Sequence, residues 1–115
     1  MTRQSSEFVW IWLINGTASP ATTAISAAAG QKVLLRYANA GIDNNTMAIL
    51  GLHQRLIGRG ANALANPFDV VSQTLPAGET ADVIVAVPGS ASPGTRYPLY
   101  NRQFRPGMRT SIVVP

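Results

Sequence analysis

The sequence predicts an all-β chain folded as a small antiparallel sandwich or barrel. Three observations carry that reading. Apolar residues recur in short runs at a period of two, the runs are β-branched and aromatic, and Gly, Pro, Asn and Asp interrupt them at close spacing. Helical patterning is nearly absent, because the one stretch rich in helix formers, Ala24–Ala29, is short and stops at Gly30.

The first strand is expected over Phe8–Ile14 and is closed by Asn15-Gly16, a strong hairpin signal. Residues 1–6 before it read as a disordered lead-in. This strand departs from simple alternation. Phe8, Trp10, Trp12 and Ile14 share one face, while Val9, Ile11 and Leu13 share the other. A strand apolar on both sides needs cover on both, from a neighbouring domain, a second copy or its own connections. Either face could be the inner one. Trp10 and Trp12 are therefore the candidate interface residues.

The next strand, Gln31–Asn39, alternates cleanly: Val33, Leu35 and Tyr37 face one way, Lys32, Leu34 and Arg36 the other. Thr46–Leu50 and Gln54–Ile57 follow, separated by Gly51. Phe68–Thr74 leads into the turn Pro76-Ala77-Gly78-Glu79. Ala81–Val87 is the most β-like run and ends at Pro88-Gly89. Arg96–Tyr100 and Arg109–Val114 complete eight strands.

Composition limits the chemistry. The chain of 115 residues suits one domain spanning 1–115 and can bury a core without disulfides or a structural metal. It has no cysteine, which removes disulfides, thiolate nucleophiles and thiolate metal ligands. Its one histidine, His53, excludes a His-His metal pair. The five acids, Glu7, Asp43, Asp69, Glu79 and Asp82, are scattered, so no catalytic carboxylate pair is indicated. No glycine-rich phosphate cradle occurs. The net charge of +4 comes from eight arginines and one lysine, with a loose group at Arg96, Arg102, Arg105 and Arg109. Solvated surface is the ordinary explanation, and a patch for an acidic partner is the alternative. Nucleic acid is not the expected partner, since Trp10 and Trp12 sit in a strand poor in charge. Phe8–Ile14 is too short to span a bilayer and lacks the flanks of a secretory signal, so neither a membrane partner nor a signal peptide is expected.

Patterning alone leaves an immunoglobulin-like sandwich, an OB barrel and a cupredoxin open. Four segments discriminate. Leu13-Ile14-Asn15-Gly16 resembles the "φ-I-N-G" that opens cupredoxin domains of multicopper oxidases. Gly30 to Gly41 is similar to "G-x-x-V-x-L-R-x-x-N-A-G", the most specific match. Leu75 to Val85 is similar to "L-x-P-G-E-R-x-D-V-x-V". Gly94 to Asn101 resembles the "G-x-Y-P-L-Y" of copper-free domains in some bacterial members. The matches run in family order over nearly the whole chain. The resemblance implies a Greek-key, cupredoxin-like sandwich.

The departures are as informative. Where copper-bearing members have "T-M-H-L-H-G", this chain reads Thr46-Met47-Ala48-Ile49-Leu50-Gly51, so the two ligand positions fall on Ala48 and Leu50. The "H-C-H" stretch falls around Leu99, Tyr100 and Asn101. Only Met108 matches a position of the copper site, the weak axial one, and one weak ligand does not hold copper. The resemblance therefore implies no metal and no cofactor in this domain, with copper only in other domains of a parent protein. It implies no enzymatic activity of the domain itself and a structural or interaction role. Its partners would be neighbouring cupredoxin domains or a second copy, through Trp10 and Trp12. It also implies a periplasmic or secreted location. Two rival functions remain: a share in a copper site of an oxidase or electron-transfer protein, with His53 or Met108 contributing, and a basic β-barrel binding module.

Overall fold

The computed structural model describes residues 2–3, 10–11, 14, 17, 19–103, 105 and 107–115; for 2–3 and 10–11 it gives the backbone pairing alone. Eleven strands occur among these: β1 (Thr2–Arg3), β2 (Trp10–Ile11), β3 (Ile25–Ser26), β4 (Lys32–Ala38), β5 (Asn45–Ile49), β6 (Gln54–Arg59), β7 (Asn62–Val70), β8 (Ser72–Leu75), β9 (Thr80–Ala86), β10 (Arg96–Asn101) and β11 (Arg109–Val113). No helix is present among the described residues.

Two sheets make the sandwich. One has the order β3-β11-β10-β5-β8 and the other β4-β9-β6-β7, while β1 and β2 pair separately. All pairings are antiparallel except β3 with β11, which is parallel. Within the two large sheets, only β6–β7 and β10–β11 follow one another as neighbours; every other connection from β3 onward crosses between sheets. Each crossing strand must therefore turn its apolar side toward the facing sheet.

The alternation expected of the second strand is realised in β4, where Leu35 is buried while Lys32, Leu34 and Arg36 are exposed. In β9, Ala81, Val83 and Val85 point inward. These meet Met47, Ile49, Leu99 and Ile112 from the five-stranded sheet in one core. Burying an aliphatic side chain of this size stabilises a fold by about 1.5–3 kcal/mol.

Gln54 and Asn39 are buried polar residues with their hydrogen bonds made. Tyr37 Oη donates to Gln54 Oε1 at 2.5 Å, and Gln54 Nε2 donates to the Met47 carbonyl at 3.2 Å. This chain of bonds joins β4 and β6 of one sheet to β5 of the other. Asn39 is the second case. Its amide donates to the carbonyls of Asp43 (2.7 Å) and Leu75 (2.9 Å), and its Oδ1 accepts from Gly41 N–H (3.0 Å). Its backbone also bonds Gly78 and Glu79. The "N-A-G" and "P-A-G-E" segments thus meet as one structural joint. In the latter, Glu79 N–H bonds Pro76 C=O and Gly78 has φ +78°, the geometry of a type II turn.

Several boundaries differ from the sequence reading. Phe68–Thr74, expected as one strand, is two: β7 ends at Val70 in one sheet and β8 starts at Ser72 in the other, with Val71 60% exposed at the crossing. The β7 residues Asn62–Pro67 carry no alternating apolar pattern, because β7 is an edge strand with little to bury. Ile25–Ser26, inside the Ala-rich segment, is a strand held by β11. Thr2–Arg3, within the expected lead-in, pairs with Trp10–Ile11. Of the expected first strand, Phe8, Val9, Trp12 and Leu13 lie outside the described residues. Ile14 and Thr17 exchange backbone hydrogen bonds of 2.9 and 3.0 Å, and the expected turn residues Asn15 and Gly16 lie outside the described residues.

Two consequences are testable. The β6–β7 loop is Gly60-Ala61 with φ +57° and +64°, a type I′ pattern that costs a Cβ-bearing alanine about 1–2 kcal/mol. Ala61→Gly should raise stability by about 0.5–1 kcal/mol after the added entropy of the unfolded chain is counted, read as a higher urea midpoint at unchanged slope. An unchanged or lower midpoint would contradict the turn assignment. Burial also pushes the Tyr37 phenol well above its ordinary value near 10. The folded state holds that proton more tightly than the unfolded one. The contribution is complete below pH 10 and is lost as pH rises above it. Stability should therefore fall progressively as pH rises above 10, and the fall should be smaller in Tyr37→Phe.

Candidate functional site

The positions to which the resemblance assigns metal ligands lie on two adjacent strands or at their ends. The β5–β10 ladder pairs Ile49 with Leu99, Ala48 with Tyr100 and Met47 with Asn101, and Leu50 N–H bonds Pro98 C=O at 2.9 Å. Cross-strand partners share a face, so the register sorts these residues. Met47, Ile49 and Leu99 belong to the core. Ala48 and Tyr100 are therefore on the outer side of the five-stranded sheet. One row across that side reads Ser72, Ala48, Tyr100, Arg109, drawn from β8, β5, β10 and β11.

The five positions are thus split. Ala48 is buried at 3% exposure and carries only a methyl group, and Leu50 is 62% exposed beyond the end of β5. Tyr100 is half-buried on the outer side, whereas Leu99 and Asn101 point inward and are both 5% exposed. None offers an imidazole or a thiolate.

Asn101 is occupied by structural bonds. Its amide donates to Asn45 Oδ1 at 2.9 Å and to the Met108 sulfur at 3.5 Å, and its Oδ1 accepts from Gln103 N–H at 2.8 Å. Asn101 N–H also bonds the Met108 carbonyl at 3.1 Å. Arg105 completes the joint by donating to the Asn44 carbonyl at 2.6 Å and to Asn45 Oδ1. Met108, the axial candidate, therefore has its sulfur turned to an amide, packed beside the core. A copper site of the type 1 kind needs two imidazoles and a thiolate, and the side chains here do not fit that requirement.

His53, the other titratable candidate, is exposed in the connection before β6. Among the described residues no three His, Asp or Glu side chains come together as a metal site. Asp82 pairs loosely with Arg36 (3.9 Å) and Asp69 with Arg55 (3.3 Å), both on the outer side of the four-stranded sheet. Such exposed pairs contribute little. Of the expected interface residues, Trp10 occupies β2 opposite Arg3, and Trp12, like the side chain of Trp10, lies outside the described residues.

Sequence reasoning did not anticipate a cavity of about 580 Å3 over the same region, lined by Leu50, Pro98, Tyr100, Asn101, Arg105, Met108 and Arg109. The strands β10 and β11 bring its walls together through the Tyr100–Arg109 pair. The loose arginine group was visible in the chain. Its placement beside Tyr100 depends on the hairpin register.

No family model and no curated protein matches the sequence. The fold has close counterparts among solved structures. The chain superposes on a blue copper oxidase from Nitrosomonas europaea with a TM-score of 0.82 at 20% identity, covering 94% of this chain and 36% of that one. The multicopper oxidase mgLAC gives 0.82 at 19% identity, covering 96% and 37%. A copper nitrite reductase from Nitrosomonas europaea gives 0.69 at 17% identity, covering 83% and 33%. The chain thus spans about a third of the length of these enzymes. Its all-β architecture, its two-sheet topology and these superpositions agree, and the chain has a cupredoxin-like fold.

Proposed function

We propose that this is a copper-free cupredoxin-like domain with a structural or interaction role, belonging to or derived from a multicopper oxidase. The observation that carries the reading is the ligand-less ladder: Ala48 and Tyr100 face one another on adjacent strands where the family resemblance places coordinating groups. The domain on this reading is not itself an enzyme and takes no cofactor, copper being held in other domains of a parent protein. Its partners are neighbouring cupredoxin domains or a second copy, met through Trp10 and Trp12, rather than nucleic acid or a membrane. Among the described residues no helix is long and apolar enough to cross a bilayer. A periplasmic or secreted location follows from the resemblance. A share in a copper site is the weaker reading, since the Met108 sulfur already faces the Asn101 amide and His53 lies just beyond the Thr46–Gly51 segment, exposed in the connection before β6.

Metal content tests the first part. The chain incubated with excess Cu(II) and desalted should retain far less than one equivalent of copper, with no intense thiolate charge-transfer band. Stoichiometric copper that survives desalting and is lost in His53→Ala would overturn the proposal.

The interface is tested by self-association. An uncovered aromatic patch drives association, and truncating a buried interface tryptophan costs a few kcal/mol. Sedimentation velocity should show dimers or larger species at high concentration, and Trp10→Ser with Trp12→Ser should give a folded monomer. A chain that is monomeric throughout and unfolds on this double substitution would place the tryptophans in the core instead.

A further inference from the structure

We propose that the cavity on the outer side of the five-stranded sheet binds a small organic anion with a flat apolar body, such as an aromatic carboxylate. The proposal stands apart from the interface reading, because it uses none of the residues around Trp10 and Trp12.

Shape and lining set the class of ligand. A volume of about 580 Å3 lies within the usual range for small-molecule sites, roughly 300–1,000 Å3. Leu50, Pro98, Tyr100 and Met108 form apolar walls, and Leu50 is a large aliphatic side chain left mostly in solvent. A phenol ring, a thioether and a proline ring together favour a planar partner over a branched one. The charged lining residues are both arginines, Arg105 and Arg109. Arg109 is exposed, stands opposite Tyr100 in the β10–β11 ladder and lines the same cavity, so the two side chains share one face. Guanidinium recognises carboxylate through paired, charge-assisted hydrogen bonds. Arg105 is committed to Asn44 and Asn45, yet its charge still adds to the local field.

The distribution of acids supports an anion over a cation. The strands β3, β5, β8, β10 and β11 contain no Asp or Glu. The described carboxylates lie on β7 and β9 of the other sheet, at Asp69 and Asp82, or in connections, at Asp43 and Glu79. Arg109 therefore stands in a sheet whose strands carry no carboxylate. An anion gains there, and a neutral molecule gains only the apolar contact.

Three probes separate these contributions in an amide-resolved NMR titration of the chain: naphthoate, naphthyl methanol and acetate. Naphthoate should give saturable shifts at Leu50, Tyr100, Met108 and Arg109. Naphthyl methanol should bind the same residues about tenfold more weakly, the effect of losing one charge-assisted contact, and acetate should give no saturable shift. In Arg109→Gln, an exposed substitution, naphthoate affinity should fall by about tenfold to match the alcohol, whose own affinity should not change. Tyr100→Ala should weaken both aromatic probes. Equal affinity for naphthoate and the alcohol, insensitivity to Arg109→Gln, shifts mapping to the four-stranded sheet, or no saturable shift at millimolar probe would each overturn the proposal.

Discussion

Closure of two sheets over a shared apolar layer constrains everything else in this molecule. Leu56, Val83 and Val85 from one side and Ile49, Leu99 and Ile112 from the other are at most 5% exposed. Because side chains alternate along a strand, fixing which residues face inward fixes which face outward. The interior is not purely apolar. Tyr37, Gln54 and the Met47 carbonyl connect the sheets through hydrogen bonds, and among the described residues no buried side-chain nitrogen or oxygen lacks a partner. Satisfied groups of this kind cost little to bury, whereas each one orphaned would cost about 1–3 kcal/mol. They also fix how the sheets are placed against each other, which apolar contact alone specifies weakly.

The outer side of the five-stranded sheet inherits its character from that inner packing. With Met47, Ile49 and Leu99 committed to the core, Ala48 and Tyr100 are left side by side on the outside. The two present a methyl and a phenol, and the next inward residue, Asn101, serves as a hydrogen-bonding joint between β5 and the loop before β11. The ladder's pairing follows from the inner packing, whereas its outer side chains can vary without disturbing it. Such separation of scaffold and site is general, since a fold supports many functions through the side chains mounted on it.

Motif segments that resemble the multicopper oxidases have concrete structural work in this chain. Asn39 and Gly41 of "N-A-G" and Gly78 and Glu79 of "P-A-G-E" hold one another where β4, β8 and β9 meet. Tyr97 of the "Y-P-L-Y" segment packs against the core, with its ring at the α-carbon of Gly51, where a β-carbon would lie 3.4 Å from it. These contacts tie strand ends and turns to the sandwich.

Much of this was legible in the residues themselves. Period-two alternation placed β4, β5, β9, β10 and β11 within a residue or two, and the turn chemistry of Gly30, Gly51 and Pro76–Glu79 marked their ends, because both signals are local. That the chain has no cysteine and one histidine was equally readable, since it is a matter of residue type. The rest required three dimensions. Nothing local distinguishes Phe68–Val70 from Ser72–Leu75, yet they belong to opposite sheets; the chain bends at Val71 because each half finds a different pairing partner. Ile25–Ser26 is a strand only because β11 offers it a free edge. The cavity beside Tyr100 and Arg109 exists because a hairpin register aligns residues nine apart in sequence with a turn some fifty residues earlier. Residue type determined which donor groups the chain carries, and strand pairing decided which side chains stand together on this face.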